Sequence, residues 1–452
     1  METQQVPRKK ASKPAARKTA KSKPARGRSA KPAVDSQKEF DKLAKRYFDW
    51  VVRNYPSYAT YLGIHEYDDR LTDYAPSAVA KRREKVREFY RQFKEIPLTG
   101  LDQDSKIDRH LIIDQLFVED KLNRKLPHEE RDPGLFLDDG VYACYCITIR
   151  DCGDAEESAQ KMTARLLGLP KMLGQGRRLV TNPTQVNCAV ALLSGAGAIN
   201  FFKDTVAKFA KRVKDSKIRH AMRDAAQAAE EAVEDYMAWL KTDCMPSATA
   251  DFAIGQDLFN MLLKKQHQLP YDSEELFSVG RRVYKETIRS LQAISRKLHP
   301  TYSWDKVVEI LKRDHPTNSE LVQYYADEMK RAKRFVIEHR LVDIPEGERI
   351  DVVPTPEFAR PTIPYAAYIP PAPYEEEQRG IFWVTPVDRD KSPAEMEEQL
   401  RGHSVHGIVV TALHEAYPGH HLQMTVANQM AHRPLRALLG TSVFAEGWAL
   451  YC

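Results

Sequence analysis

Cysteine is scarce in this chain, with six in 452 residues. Cys144, Cys146 and Cys152 cluster while Cys188, Cys244 and Cys452 are scattered, and none forms a Cys-x-x-Cys pair. No histidine neighbours them in sequence, so reduced, packed thiols are expected rather than a metal knuckle. Cys144-Tyr145-Cys146 reads as strand-like alternation. Long apolar runs are also missing. No segment is expected to span a bilayer, and the N-terminus lacks the apolar centre of a secretion signal. A cytoplasmic protein with no membrane partner is the expectation.

Acidic residues are rare only at the start. Residues 1–35 hold eleven Lys/Arg against Glu2 and Asp35, a net charge of +9, so the remainder carries −3 of the overall +6. Lys and Arg alternate there with Ala, Pro and Ser, and such a stretch cannot bury enough surface to fold. Residues 1–36 are therefore expected to be a disordered basic tail. It would touch nucleic acid weakly and nonspecifically at most, because no aromatic residues interleave the charges.

From residue 37 onward helical periodicity dominates. Phe40, Leu43, Tyr47, Phe48 and Val51 form one apolar stripe, and similar stripes recur over 78–96, 101–126, 155–173, 186–215, 219–241, 273–298, 304–313 and 319–341. Residues 126–153 break this pattern and suggest turns. Prolines with β-branched and aromatic residues mark 342–387, where short strands are expected around 350–353 and 381–387. One exposed strand edge is expected beside the site, with Tyr365, Tyr368 and Tyr374 as possible donors to a reacting oxygen or as packing residues. The fold class is thus mainly α, a large helical architecture with a small β element. Residues 37–452 are expected to form its domain.

The chemistry concentrates in Thr411–Gln423, which holds His414, Glu415, His420 and His421 after an apolar helical run. Ser392-Pro393-Ala394-Glu395 is a capping box with proline at the first helical position. Leu400, His406, Val410, Leu413 and Tyr417 follow as one expected buried face. A His-Glu-x-x-His zinc motif would place its second histidine at 418, where this chain has proline. Proline cannot donate its backbone hydrogen bond to residue 414, so the helix must bend or open there. On an unbroken helix about 10 Å of rise would separate His414 from His421. A loop at Pro418-Gly419 instead lets a following histidine swing back, and the spacing leaves His420 and His421 equally eligible as ligand. Glu446, a lone carboxylate in Phe444–Tyr451, is the expected third ligand. Pairing with Arg433 or Arg436 is its structural alternative. His403 and His406, on the same expected helix, read as supporting residues.

His414-Glu-Ala-Tyr-Pro-Gly-His-His-Leu-Gln423 and Phe444-Ala-Glu-Gly-Trp-Ala-Leu-Tyr451 resemble the bacterial domain-of-unknown-function 885 family. Pro56–Gly63, Asp251–Gly255, Thr355–Phe358 and Tyr365–Pro371 extend the likeness to about residues 37–452. The resemblance implies a zincin-like helical metallopeptidase. Zn²⁺ would be held by His414, His420 or His421, and Glu446, with Glu415 as general base and a peptide as substrate. Family members usually continue beyond the second motif, so the C-terminal part is expected to be missing. The rival expectations are an inactive or incomplete fragment serving as a metal- or peptide-binding scaffold, and a nucleic-acid-associated protein acting through its tail.

Overall fold

A computed structural model describes residues 35–388 and 390–452. The expectation of a disordered tail at 1–36 lies almost wholly outside the described residues. Ser36–Cys452 make one compact unit, mainly α with a small three-stranded sheet.

Its first layer is a trio of helices. α1 (Ser36–Asn54) buries Phe40, Leu43, Tyr47 and Val51, the expected stripe, against Val86, Phe89 and Phe93 of α2 (Pro76–Glu95) and Ile112 and Leu116 of α3 (Gln103–Lys125). A second, larger core follows in α4 (Gly134–Ile149), α5 (Ala155–Leu179), α6 (Gln185–Asn200) and α7 (Ser216–Trp239). Here the expectation of turns over 126–153 fails, and Cys144-Tyr145-Cys146 is helical. α4 is buried nearly all round, from Phe136 to Ile147, so no 3.6-residue contrast exists for a sequence reading to detect.

α6 continues through the wider turn Phe201–Val206 to Ala210. This Gln185–Ala210 stretch is long and apolar enough, by length and composition alone, to cross a membrane, which the sequence reading had denied of every segment. In this fold it buries Ala191, Ala198, Phe201 and Phe202 in the second core.

Two further long helices, α8 (Ser273–Leu298) and α9 (Leu321–Glu338), lead to the sheet. Asp272 opens α8 with a capping box. β1 (Arg349–Pro354), β2 (Ala366–Ile369) and β3 (Arg379–Val384) are ordered β1-β3-β2, with β1 parallel and β2 antiparallel to β3. Side chains alternate across the sheet. Ile381 and Trp383 join the second helical core, whereas Phe382 and Val384 pack with Tyr325 and Met329 of α9. With helices on both faces, β3 is the rigid centre on which the site is assembled.

The capping box at Ser392 begins α10 (Pro393–Gly402), which stops before the site; α11 (Val405–Glu415) starts afresh. One continuous helix was expected. Ser404 recaps the chain by accepting a hydrogen bond from the Gly407 N–H at 3.2 Å. This restart sets the buried face of α11 to Ile408 and Ala412, leaving Val410 65% exposed and His406 at the surface. Downstream of it lie α12 (His420–Asn428) and α13 (Ser442–Tyr451).

Candidate metal centre

α11 ends at Glu415, and the four residues Ala416–Gly419 reverse the chain into α12, with the Tyr417–Pro418 peptide cis. The helix therefore opens at Pro418, as a missing backbone donor requires. Gly419 sits so close to the end of α11 that a Cβ would lie 1.9 Å from the His414 carbonyl oxygen. Its N–H bonds the Leu413 carbonyl at 3.0 Å. Only glycine fits, and the tight return lays His420, the first residue of α12, across His414. Their rings are 4.7 Å apart and nearly perpendicular.

Glu446 comes from α13. Its carboxylate lies 3.4 Å from His414 Nε2 and 3.6 Å from His420 Nε2, and one donor atom from each of the three residues falls within 4.8 Å of the others. The Trp448 indole N–H bonds the Pro418 carbonyl at 2.8 Å, fixing α13 to the reversing loop. Glu446 is 57% exposed rather than buried, because α13 turns Phe444, Leu450 and Tyr451 outward. Its alternative partners are engaged elsewhere: Arg433 and Arg436 both bind Asp108.

His421 faces the opposite way. Fully buried, it places Nε2 2.5 Å from Glu348 and Nδ1 2.8 Å from the Tyr368 hydroxyl. Glu348 also accepts from Lys333 at 2.6 Å and from Tyr417 at 2.5 Å. Burial alone would raise the Glu348 carboxyl, but these three hydrogen bonds hold it down at about 2. Gly380 on β3 makes the room, since a Cβ there would lie 2.6 Å from both His421 Nδ1 and the Tyr368 oxygen. So the structure gathers His414, His420 and Glu446, and keeps His421 apart.

Glu415 follows His414 at the end of α11. Burial, and then the charge of Glu446, push its carboxyl up to about 7. It has no hydrogen-bond partner among the described residues. Burial lowers the His420 imidazole, which favours the neutral form a ligand needs. Of the three tyrosines, Tyr368 bonds His421 and lies parallel to the His420 ring, 6.5 Å from it. Tyr365 instead packs edge-on against His403, and Tyr374 bonds the Ala431 carbonyl. β2, which carries Tyr368, is an edge strand beside this assembly. His403 closes α10 and bonds Tyr325 at 3.1 Å.

The donor set fits a divalent cation. Two imidazoles and one carboxylate are a usual catalytic zinc triad. Moreover, no Lys or Arg lies within 4 Å of Glu446 among the described residues. Sequence reasoning missed Glu348, Lys333 and the Tyr417 hydroxyl. Glu348 sits in the polar run Pro345–Arg349 with no motif around it, so no local signal could have found it.

The family described as bacterial proteins of unknown function, DUF885, matches residues 56–452. The chain belongs to the DUF885 family. A solved structure described as "a putative lipoprotein of unknown function" from Shewanella oneidensis is similar to this DUF885 chain. It has a TM-score of 0.69 and 20% sequence identity, covering 91% of this chain and 76% of that one. At that identity the likeness establishes the fold alone. No curated protein matches the DUF885 chain.

Proposed function

We propose that this DUF885 chain is a zinc-dependent hydrolase of peptides. The observation that carries the reading is the convergence of His414, His420 and Glu446 at the end of a rigid helix. His414, His420 and Glu446 would hold the cation, which when bound makes water acidic and polarises a carbonyl. Glu415 takes the proton of the attacking water and returns it to the departing amine. It is suited to that task because it adjoins a ligand, is largely enclosed and has no hydrogen-bond partner among the described residues. The edge of β2 offers unpaired backbone groups that an extended peptide can bind by strand addition.

Glu415→Gln keeps the shape of the side chain and removes its basicity. Metal content should stay at the wild-type level while turnover of a mixed peptide library falls by about 10²- to 10⁴-fold. Wild-type turnover in this variant would remove Glu415 from the mechanism.

A further inference from the structure

A second group of metal-ligating side chains comes together far from the His414 cluster in sequence. His65 starts the short turn His65–Tyr67, Asp68 follows it, and Cys152 lies between α4 and α5. One ligand atom from each falls within 4.8 Å of the others. His65 Nδ1 is 2.9 Å from Asp68 Oδ2 and 3.6 Å from Cys152 Sγ. Asp68 and Cys152 are each 1% exposed. The sequence places no histidine near Cys152; the fold brings one from 87 residues away.

The surroundings add a separate observation. His65 Nε2 is buried with no hydrogen-bond partner among the described residues, and the Glu375 carboxylate, which accepts from the Asp151 N–H at 3.0 Å, lies 3.5 Å from it. A ligating histidine usually gives its far nitrogen to a carboxylate, and Glu375 is within reach of this one. The donors are spaced as neighbours around one cation, because bonds of about 2.0–2.3 Å to N, O and S leave them roughly 3–4 Å apart. His65 also lines a cavity of about 830 Å³, while Asp68 and Cys152 lie behind it.

Opposing this are Lys161 and Arg165, 3.4 and 3.8 Å from the Asp68 carboxylate. Arg165 holds the other oxygen, Oδ1. Lys161 is 28% exposed and also donates to the Cys152 carbonyl at 2.7 Å, so a cation must displace it from the Asp68 oxygen. We propose that His65, Asp68 and Cys152 form a second, sulfur-containing site for a thiophilic divalent cation of the zinc class.

Cobalt(II), added to the reduced full chain, separates the two sites because only this one offers sulfur. Wild type should bind two cobalt ions per chain, and His414→Ala should bind one. That remaining ion should show a thiolate-to-cobalt charge-transfer band in the near ultraviolet. Adding Cys152→Ala to the His414→Ala chain should abolish both the ion and the band, and so should adding His65→Gln. Absence of the band in His414→Ala, or its persistence in either double variant, overturns the proposal. His65→Gln alters a partly exposed ring, so it keeps the test valid if the cysteine variant does not fold. Failure of the His414 reading looks different: wild type would then bind a single cobalt with the thiolate band intact.

Discussion

His420 and His421 are neighbours in sequence, yet one helix turn gives them opposite surroundings. His420 meets two groups across gaps of more than 3 Å, one of them a half-exposed carboxylate, and its Nδ1 has no partner. His421 is clamped from both sides, and its carboxylate partner is itself held by a lysine and a tyrosine. Half-met polar groups beside an open face suit a site that awaits a ligand, whereas a satisfied buried network suits the frame behind it. The lesson is that residue type does not separate ligand from support; what the second nitrogen of each ring finds does.

The largest effects should appear on the open side. His414→Ala and His420→Ala should each lose one zinc per chain relative to wild type, measured by elemental analysis, and turnover with it. His421→Ala should retain metal wherever the protein stays folded. A folded His421→Ala without metal would invert the comparison. On the buried side the loss should be one of stability. Glu348→Ala leaves Lys333 without its counter-charge, and His421 and the Tyr417 hydroxyl without their hydrogen-bond partner, and should cost about 3–5 kcal/mol in denaturant unfolding. Glu446→Ala, at a half-exposed carboxylate, should change stability by no more than about 0.5 kcal/mol while losing one metal ion per chain. Equal destabilisation by these two substitutions would erase the distinction.

Acid should discriminate next. The Glu348 carboxyl lies at about 2, below its ordinary 4.5. Its contribution is therefore complete above pH 4.5 and is lost as pH falls toward 2. Burial, with help from His315, lowers the His403 imidazole to about 4 from 6.5. His403 thus adds stability above pH 6.5 that disappears as pH falls through 4. Thermal unfolding scans should show stability declining in these two windows, and Glu348→Gln should flatten the lower one. The smallest effect belongs to Tyr374→Phe, which removes one hydrogen bond to the Ala431 carbonyl and should cost about 1 kcal/mol with turnover unchanged.

Much of the fold was legible where apolar contrast was strong. α1 buries the stripe read from Phe40 to Val51 because its other face meets water. α4 was illegible because it has no second face, and the α10–α11 break was missed because Ser404 precedes an apolar run rather than a capping box. At the site, Pro418-Gly419 announced a reversal, but not which histidine it would turn inward. That choice depends on Gly380, Tyr368 and Glu348, which lie 41 to 73 residues upstream of His421. Tyr368 was a candidate in the sequence, but nothing local joins it to His421, and Gly380 and Glu348 carry no local pattern.

The indole of Trp448 bridges the reversing loop and the helix that bears Glu446. Capture of an ion by His414, His420 and Glu446 would draw those two pieces together around this ring. The molecule thus carries an intrinsic fluorophore at its own gate. Emission that shifts on titration with zinc, and no longer does so in Trp448→Phe, would report loading without any added dye.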